Sequence, residues 1–409
     1  MLKKIRKLLF SKYFPAFIRK KIIRNQLCVD LKLLLRENII IKVAETRDEL
    51  FQALSLVQKM YEKNKIIDKN TTGLRITKFH LLPTTTVIVA KRGEEVIGTF
   101  SQIMDTPLGL PIDDFTSLKE LRKKSKRVCE ISSLAICEKW RSKTNGLFIP
   151  LSLFAIMYAR KFTGADKMVI VTNERARFVY EDIFLFEHLT VNSTRYESVN
   201  DDRAFAQYLN LEKFEKDIFN IYAEESKERN IFKMYYAPDW VSQLSVDHLF
   251  YQTVPLMNYD RDTLDYFFKE LGMLNDLTDS EKQVIYNHYS IYDEGYGKNL
   301  YISQRRFQRH YCRMRVDIHI KEKIVSTECI ELSRGGASIL LPIEGEVERE
   351  SILPIEVYFN AYLVCHVTTR VVWIHGNKFG VEVMLNQVQS WYYHIDQLEQ
   401  MVFSSRKPA

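Results

Sequence analysis

The spacing of apolar residues changes character along this chain of 409 residues. Between 46 and 63 they recur every three to four positions. Leu50, Leu54, Val57 and Tyr61 share one face, which predicts a helix. Runs at 86–90 and 96–103 flank the polar turn Arg92-Gly93-Glu94-Glu95, which predicts an antiparallel hairpin. Residues 107–113 are too rich in Gly and Pro for regular structure. Strands are predicted at 127–136 and 167–172, and helices at 148–162 and 173–184, with Asn173 near the N-cap of the last. Further helices are predicted at 262–271 and 279–289, the second capped by Thr278 or Asp279. Beyond 300 the period becomes two. Met314, Val316, Ile318 and Ile320 alternate onto one face, and strand-like runs follow at 337–342, 355–367 and 369–374. His375-Gly376-Asn377-Lys378 reads as a hairpin turn, after which Phe379, Val381 and Val383 continue the alternation. Trp391, Ile395, Leu398 and Val402 return to helical spacing and predict a closing helix.

Charge changes this picture at the N-terminus. The net charge is +7, and residues 1–29 hold nine Lys or Arg and no acidic residue. Apolar residues such as Leu8, Phe14 and Ile18 interleave with them, and Pro15 splits the run into two short amphipathic pieces. Such a segment suits an anionic membrane surface, an acidic carrier protein, or packing on its own domain. No basic-aromatic nucleic-acid module is visible, so nucleic acid is not an expected partner. The six cysteines lack CxxC spacing and the nine histidines contain no HxxxH pair, so no metal is expected. The longest apolar run, 147–159, is too short to span a bilayer and contains Pro150 and Ser152. No cleavable signal is evident. A cytoplasmic protein, peripheral on the inner membrane if residues 1–29 touch lipid, is the expectation. The clustered aromatics Tyr235, Tyr236, Trp240, Phe250 and Tyr251 read as core or interdomain packing, or as the lining of an acyl tunnel.

Candidate chemistry is densest near the C-terminus. Arg305-Arg306-Phe307-Gln308-Arg309 contains an RxxxR pair, and Glu331-Leu332-Ser333-Arg334-Gly335-Gly336 follows one strand later. Guanidinium forks donate in a plane to phosphate oxygens or to O6 and N7 of guanine. Period two puts Glu331 and Ser333 on one face, and Gly335-Gly336 permits close backbone approach. This pairing resembles the PilZ domain, a small β-barrel that binds cyclic di-GMP and carries RxxxR followed by Asp/Asn-x-Ser-x-x-Gly. The resemblance implies a cyclic di-GMP site at Arg305, Arg306, Arg309, Glu331, Ser333, Arg334, Gly335 and Gly336. Glu331 departs from the pattern. It keeps the acceptor oxygens but is one methylene longer than Asp.

The order of elements before residue 240 resembles the GNAT acyltransferase fold. Val96-Ile97-Gly98-Thr99 follows a hairpin turn, and Asn173-x-x-Ala176-x-x-x-Tyr180-Glu181 matches the NxxAxxxYE motif of the last GNAT helix. Gly109-Leu110-Pro111-Ile112-Asp113, followed by Glu130-Ile131-Ser132-Ser133-Leu134-Ala135-Ile136, is similar to the N-acyl amino acid synthase branch, a relative of acyl-homoserine lactone synthases. The resemblance implies transfer of a fatty acyl group from an acyl-carrier protein to an amine. Glu130, in an apolar strand interior that should raise its pKa, is the candidate base. Tyr180 is the candidate acid for the departing thiolate. Ser132, Ser133, Arg141 and Gly146 are candidates for the acyl-donor or substrate region, and the backbone N–H groups of a splayed strand would hold the oxyanion.

Three positions depart from the relatives. Ser133 stands where many carry Arg, Thr144 where coenzyme A users carry the first glycine, and Phe184 where the helix often ends in Gly. Acyl-phosphopantetheine on a carrier protein therefore suits the chain better than free coenzyme A. A degenerate acyltransferase fold serving as scaffold in a non-enzymatic messenger receptor is the alternative. The expected class is α+β: a GNAT-like mixed α/β N-terminal domain and a PilZ-like antiparallel β-barrel with a closing helix. The expected division is a basic segment at 1–39, an acyltransferase domain at 40–240, a helical extension and linker at 241–299 with 293–297 as the linker candidate, and the barrel at 300–409.

Overall fold

The computed structural model describes residues 15–25, 27, 32–82, 84–141, 147–190, 194–196, 202–236, 261–282, 284–285, 309–341, 347–359 and 363–404. The N-terminal elements are α1 (Ala16–Asn25), β1 (Ile39–Val43), α2 (Arg47–Lys63), β2 (Thr85–Arg92), β3 (Glu95–Met104), β4 (Val128–Ile136), α3 (Phe148–Met157), β5 (Lys167–Asn173), α4 (Glu174–Phe184), β6 (Glu187–His188), β7 (Thr194–Tyr196), β8 (Asp202–Asn210) and α5 (Leu211–Tyr222). The strands form one sheet in the order β1-β2-β3-β4-β5-β8-β6, with β7 also on β8. Every pairing is antiparallel except β4 with β5. β2 and β3 are buried on both faces, as expected of central strands covered by helices. α2 starts at a capping box in which Thr46 accepts from Glu49 N–H and the Glu49 side chain returns to the Thr46 backbone. The Glu49 carboxylate also pairs with Lys91 at 2.8 Å, so a nearly buried acid stays compensated.

β4 departs from regularity in two places. β4 and β5 share only three rungs, Val128↔Lys167, Cys129↔Met168 and Glu130↔Val169, and then separate. Just beyond, β4 carries a bulge. Thr99 faces Ala135 and Ser101 faces Ser132, so Ser133 and Leu134 stand opposite Phe100 alone. Ser133 takes φ +57°, unusual for a residue with a side chain. The loop expected at 107–113 is more ordered than its composition suggests. Pro111–Asp114 forms a 3-10 turn, closed by Leu110 N–H donating to Asp113 Oδ2 at 2.8 Å.

α1 packs on α4. Arg19 Nε donates to Asp182 Oδ2 at 2.7 Å, its Nη2 donates to Glu181 Oε1 at 2.8 Å, and its guanidinium lies 4.1 Å from the Phe178 ring centre. Of the three roles open to the basic segment, this part packs on its own domain, while Phe17 remains 75% exposed. The rest of that segment up to residue 14, the linker candidate at 293–297, and Trp240, Phe250 and Tyr251 lie outside the described residues. Tyr235 is buried against Phe214. Residues 261–270 are helical and end in a π turn. There Phe267 is fully buried beside Phe51, so this segment adds to the N-terminal core.

The C-terminal elements are β9 (Arg309–Ile320), β10 (Lys323–Ser333), β11 (Gly336–Leu340), β12 (Ile352–Tyr358), β13 (Val364–His375), β14 (Lys378–Val383) and the closing helix α6 (Val388–Ser404). They form a closed antiparallel barrel in the order β10-β11-β14-β13-β12-β9. Closure removes the exposed sheet edges. The alternating residues Met314, Val316, Ile318, Phe379 and Val381 fill the interior, and α6 plugs one end with the fully buried Trp391 and Ile395. The run at 355–367 is not one strand. β12 stops at Tyr358 and β13 begins at Val364. Phe359 turns into the core and its N–H donates to Leu363 O at 2.9 Å. Among the described residues, no helix is long and apolar enough to cross a membrane.

Candidate functional site

A cavity of about 760 Å³ opens where β4 and β5 part. β4 contributes Glu130, Ser132 and Ser133, α4 contributes Tyr180, and Arg141 lies at its wall, so five of the six residues expected in the acyl-transfer region share one chamber. Gly146 lies outside the described residues. Glu130 is 2% exposed, and its Oε2 accepts Ile112 N–H at 2.8 Å from the 3-10 turn. Burial pushes its carboxyl well above the usual carboxylate range. The Ile112 N–H opposes this, and Asp113, Asp114 and Asp105 add to it. The carboxyl is therefore poised to hold a proton.

Tyr180 is set by the start of its helix, where Asn173 Oδ1 accepts Ala176 N–H at 2.9 Å. Phe148 and Phe186 pack edge-on against its ring at 5.7 and 5.5 Å, and burial raises its hydroxyl above the ordinary phenol value. Phe184, at the position where relatives often have Gly, is fully buried. The left-handed conformation that ends the helix falls instead on Leu185, at φ +66°.

Several residues of the chamber carry no motif. Tyr61, at the C-terminal end of α2, lines it, and burial pushes its hydroxyl up to about 12 against the opposing charges of Arg75 and Arg141. His80 is 1% exposed. Thr77 N–H donates to its Nδ1 at 3.1 Å, which leaves the proton on Nε2, 3.1 Å from Ser101 Oγ. Burial, helped by Arg75, pushes it down to about 4. A neutral imidazole with both nitrogens engaged is a fixed wall rather than a base. Arg75 and Lys78 also line the chamber, and Lys78 pairs with Glu281 at 2.8 Å. Behind the bulge a smaller apolar space, lined by Phe100, Leu151, Ile156 and Met168, shares Ile131, Leu134, Ile170 and Tyr180 with the cavity. The chamber thus offers a buried carboxyl, phenols, basic groups and an apolar wall.

The barrel builds a second site. The β9/β10 register places Arg309 directly opposite Ser333, and Glu331 opposite Tyr311. The two halves of the C-terminal motif are therefore cross-strand neighbours. Leu332 is fully buried between Glu331 and Ser333, which leaves those two on the other face. Trp391 Nε1 donates to Ser333 O at 2.8 Å, and Arg334 Nη2 donates to Asp396 Oδ1 at 2.7 Å, so α6 holds the turn. Gly336, at φ +152°, has no room for a Cβ, which would run into the Val381 carbonyl. A recess of about 240 Å³ is lined by Glu331, Ser333, Gly335, Gly336, Trp373 and Glu382. Arg305 and Arg306 lie outside the described residues, and Arg309 is placed by its backbone in β9.

Comparison with known proteins finds two matching segments. Residues 52–206 match the family model of the N-acyl amino acid synthase FeeM, and residues 303–404 match the PilZ domain. Among solved structures, FeeM from uncultured soil microbes is 22% identical over 44% of this chain and 93% of its own, with a TM-score of 0.39. The acyl-homoserine lactone synthase LasI is 16% identical over 42% of this chain and 90% of its own, with a TM-score of 0.34. The PilZ domain of CeSA from a cellulose-synthesizing bacterium is 14% identical over 24% of this chain and 98% of its own, with a TM-score of 0.20. No curated protein matches. The chain joins an N-acyl amino acid synthase-like domain to a PilZ domain.

Proposed function

We propose that this protein transfers an acyl chain from acyl-phosphopantetheine on an acyl-carrier protein to the amine of an amino acid, and that cyclic di-GMP on the barrel regulates the transfer. The observation that carries the reading is the meeting of Glu130 and Tyr180 in one chamber, within the segment that matches the synthase family. In this reading the acyl chain lies along the apolar wall of the cavity formed by Ile131, Leu134, Ile136, Ile170 and Val179, and the thioester carbonyl sits by the bulge at Ser132 and Ser133. Glu130, once deprotonated, takes the proton of the attacking amine. Burial moves a carboxyl toward the pH at which such a base works best. Backbone N–H groups at the bulge stabilise the oxyanion. The C–N bond forms, the C–S bond breaks, and Tyr180 supplies the proton that the leaving thiolate takes up. Arg75, Arg141 and Lys78 favour an acceptor with a carboxylate and a donor with a phosphate.

On the barrel, Arg305, Arg306 and Arg309 contact the phosphates and guanine edges, and Glu331, Ser333, Arg334, Gly335 and Gly336 complete the site. The protein works in the cytoplasm, and the basic residues of the N-terminal segment that do not pair with α4 suit an acidic carrier protein or the inner membrane.

The test is formation of acyl-amine from acyl-carrier protein with a panel of amino acids, with and without messenger. Glu130→Gln should keep the fold and lose roughly a hundredfold or more in transfer. Arg309→Ala should weaken calorimetric cyclic di-GMP binding by about 1.5–3 kcal/mol. Intact messenger binding, with no transfer from carrier or coenzyme A donors across the panel, would replace this reading with a non-enzymatic receptor built on a degenerate acyltransferase fold.

A further inference from the structure

The turn that holds Glu130 is itself tied to the barrel. Arg122 lies between two aspartates. Its Nε and Nη2 donate to Asp105 at 2.6 and 2.9 Å, and its Nη1 and Nη2 donate to Asp113 at 2.7 and 2.6 Å. Asp113 belongs to the 3-10 turn whose Ile112 N–H donates to Glu130. On the other side of the cluster stand two barrel residues. Arg313 of β9 has Nη1 3.9 Å from Asp105 Oδ1 and Nε 3.1 Å from Glu328 Oε2 of β10. The short helix Lys119–Lys123, which carries Arg122, packs on β10. The Asp105 and Arg122 side chains are only 2% and 9% exposed, so loss of one charge leaves another uncompensated with little water to replace it. The Glu328 carboxyl is pushed above its ordinary range by burial, eased by Arg313 and reinforced by Asp105.

We propose that Arg313 and Glu328 are positioning residues for the cavity. Through Asp105 and Arg122, strands β9 and β10 fix the 3-10 turn, and the turn fixes the Glu130 carboxyl. β9 is also the strand that opens with Arg309, four residues before Arg313. A ligand that bears on the start of β9 thereby has a route of ion pairs and one backbone hydrogen bond to the chamber. The route rests on the reading of Glu130 as base and of the barrel as messenger receptor, but its geometry can be tested without either.

The test uses the full chain. Hydrogen exchange at Ile112 and across 108–116 should speed up at least fivefold in Arg313→Ala and in Glu328→Gln, and stay within twofold of the parent in Arg313→Lys. Arg127→Ala, which breaks a different contact between the two units, Nη1 to Phe359 O at 3.3 Å, should leave Ile112 protected. Infrared difference spectra against Glu130→Gln should show the Glu130 carbonyl stretch moved in Arg313→Ala. In kinetics, Arg313→Ala should lower kcat about tenfold with KM for the donor little changed. Unchanged exchange at Ile112 in both Arg313→Ala and Glu328→Gln would overturn the inference. So would equal loss in Arg127→Ala, which would mean that the cluster only docks the two units. An inactive parent with the expected exchange pattern would sink the acyl-transfer reading and leave the positioning route standing.

Discussion

A carboxyl buried like that of Glu130 makes stability depend on pH. Its folded pKa lies well above its unfolded value, so the folded state holds the proton more tightly. Its favourable contribution is complete below the unfolded pKa of about 4.3 and is lost as pH rises toward the folded pKa. Each unit between the two values amounts to about 1.4 kcal/mol by the time both are passed. Glu130→Gln removes that dependence. Relative to the parent, the variant should gain stability as pH rises above the unfolded pKa and stop gaining once the folded pKa is passed, as read in denaturant titrations, and a difference independent of pH would place the carboxylate in a solvated site. This residue was legible in the sequence because it is the one acid inside an apolar strand, Val128–Ile136. His80 and Arg122 were not. His80 finds Ser101 21 positions away, and Arg122 bridges Asp105 and Asp113 on the two sides of a loop. No local spacing marks such partners.

The elements were legible wherever period and caps agreed. α2 starts at Thr46, and the hairpin β2–β3 turns at Gly93, because the capping box and the positive-φ glycine are local devices. Composition misled at 107–113, where Gly109 and Pro111 serve a 3-10 turn whose job is to present Ile112 N–H to a strand. It misled again at 355–367, where β-forming residues continue through a chain reversal that Phe359 anchors. The closing helix was legible as a helix, but its role was not. Trp391 reaches back 58 positions to the Ser333 carbonyl, in the Glu331–Gly336 motif. Trp391→Phe keeps an aromatic plug and removes that hydrogen bond. A loss of about 1 kcal/mol in barrel stability is the expected scale. Because the freed carbonyl belongs to the turn between Ser333 and Gly336, cyclic di-GMP affinity measured by calorimetry should fall about threefold or more. Lower stability with unchanged affinity would make α6 a lid for the core alone.

Across the whole molecule, the apolar clusters of the N-terminal unit meet the barrel core through polar contacts. The N-terminal core and the barrel core share no apolar cluster among the described residues. Between them lie Arg127 Nη1 donating to Phe359 O at 3.3 Å, Arg315 N–H donating to Lys126 O at 3.4 Å, and the Arg313–Asp105 pair. Polar contacts of this kind permit relative motion and couple units weakly, on the scale of about 1–3 kcal/mol. A ligand at a hundred times its Kd stabilises the state that binds it by about 2.7 kcal/mol. For a barrel of roughly 100 residues this raises Tm by about 10–20 °C. The larger N-terminal unit receives only the coupled share, about 2–6 °C. Calorimetry with saturating cyclic di-GMP should therefore show a large upward shift of the barrel transition and a small one of the N-terminal transition. In Arg313→Ala the barrel should still shift while the N-terminal unit stays in place. If the N-terminal transition ignores messenger in the parent chain as well, the barrel is a tether that brings the N-terminal unit to messenger-rich places, and the ion cluster at Asp105 serves only to join the units.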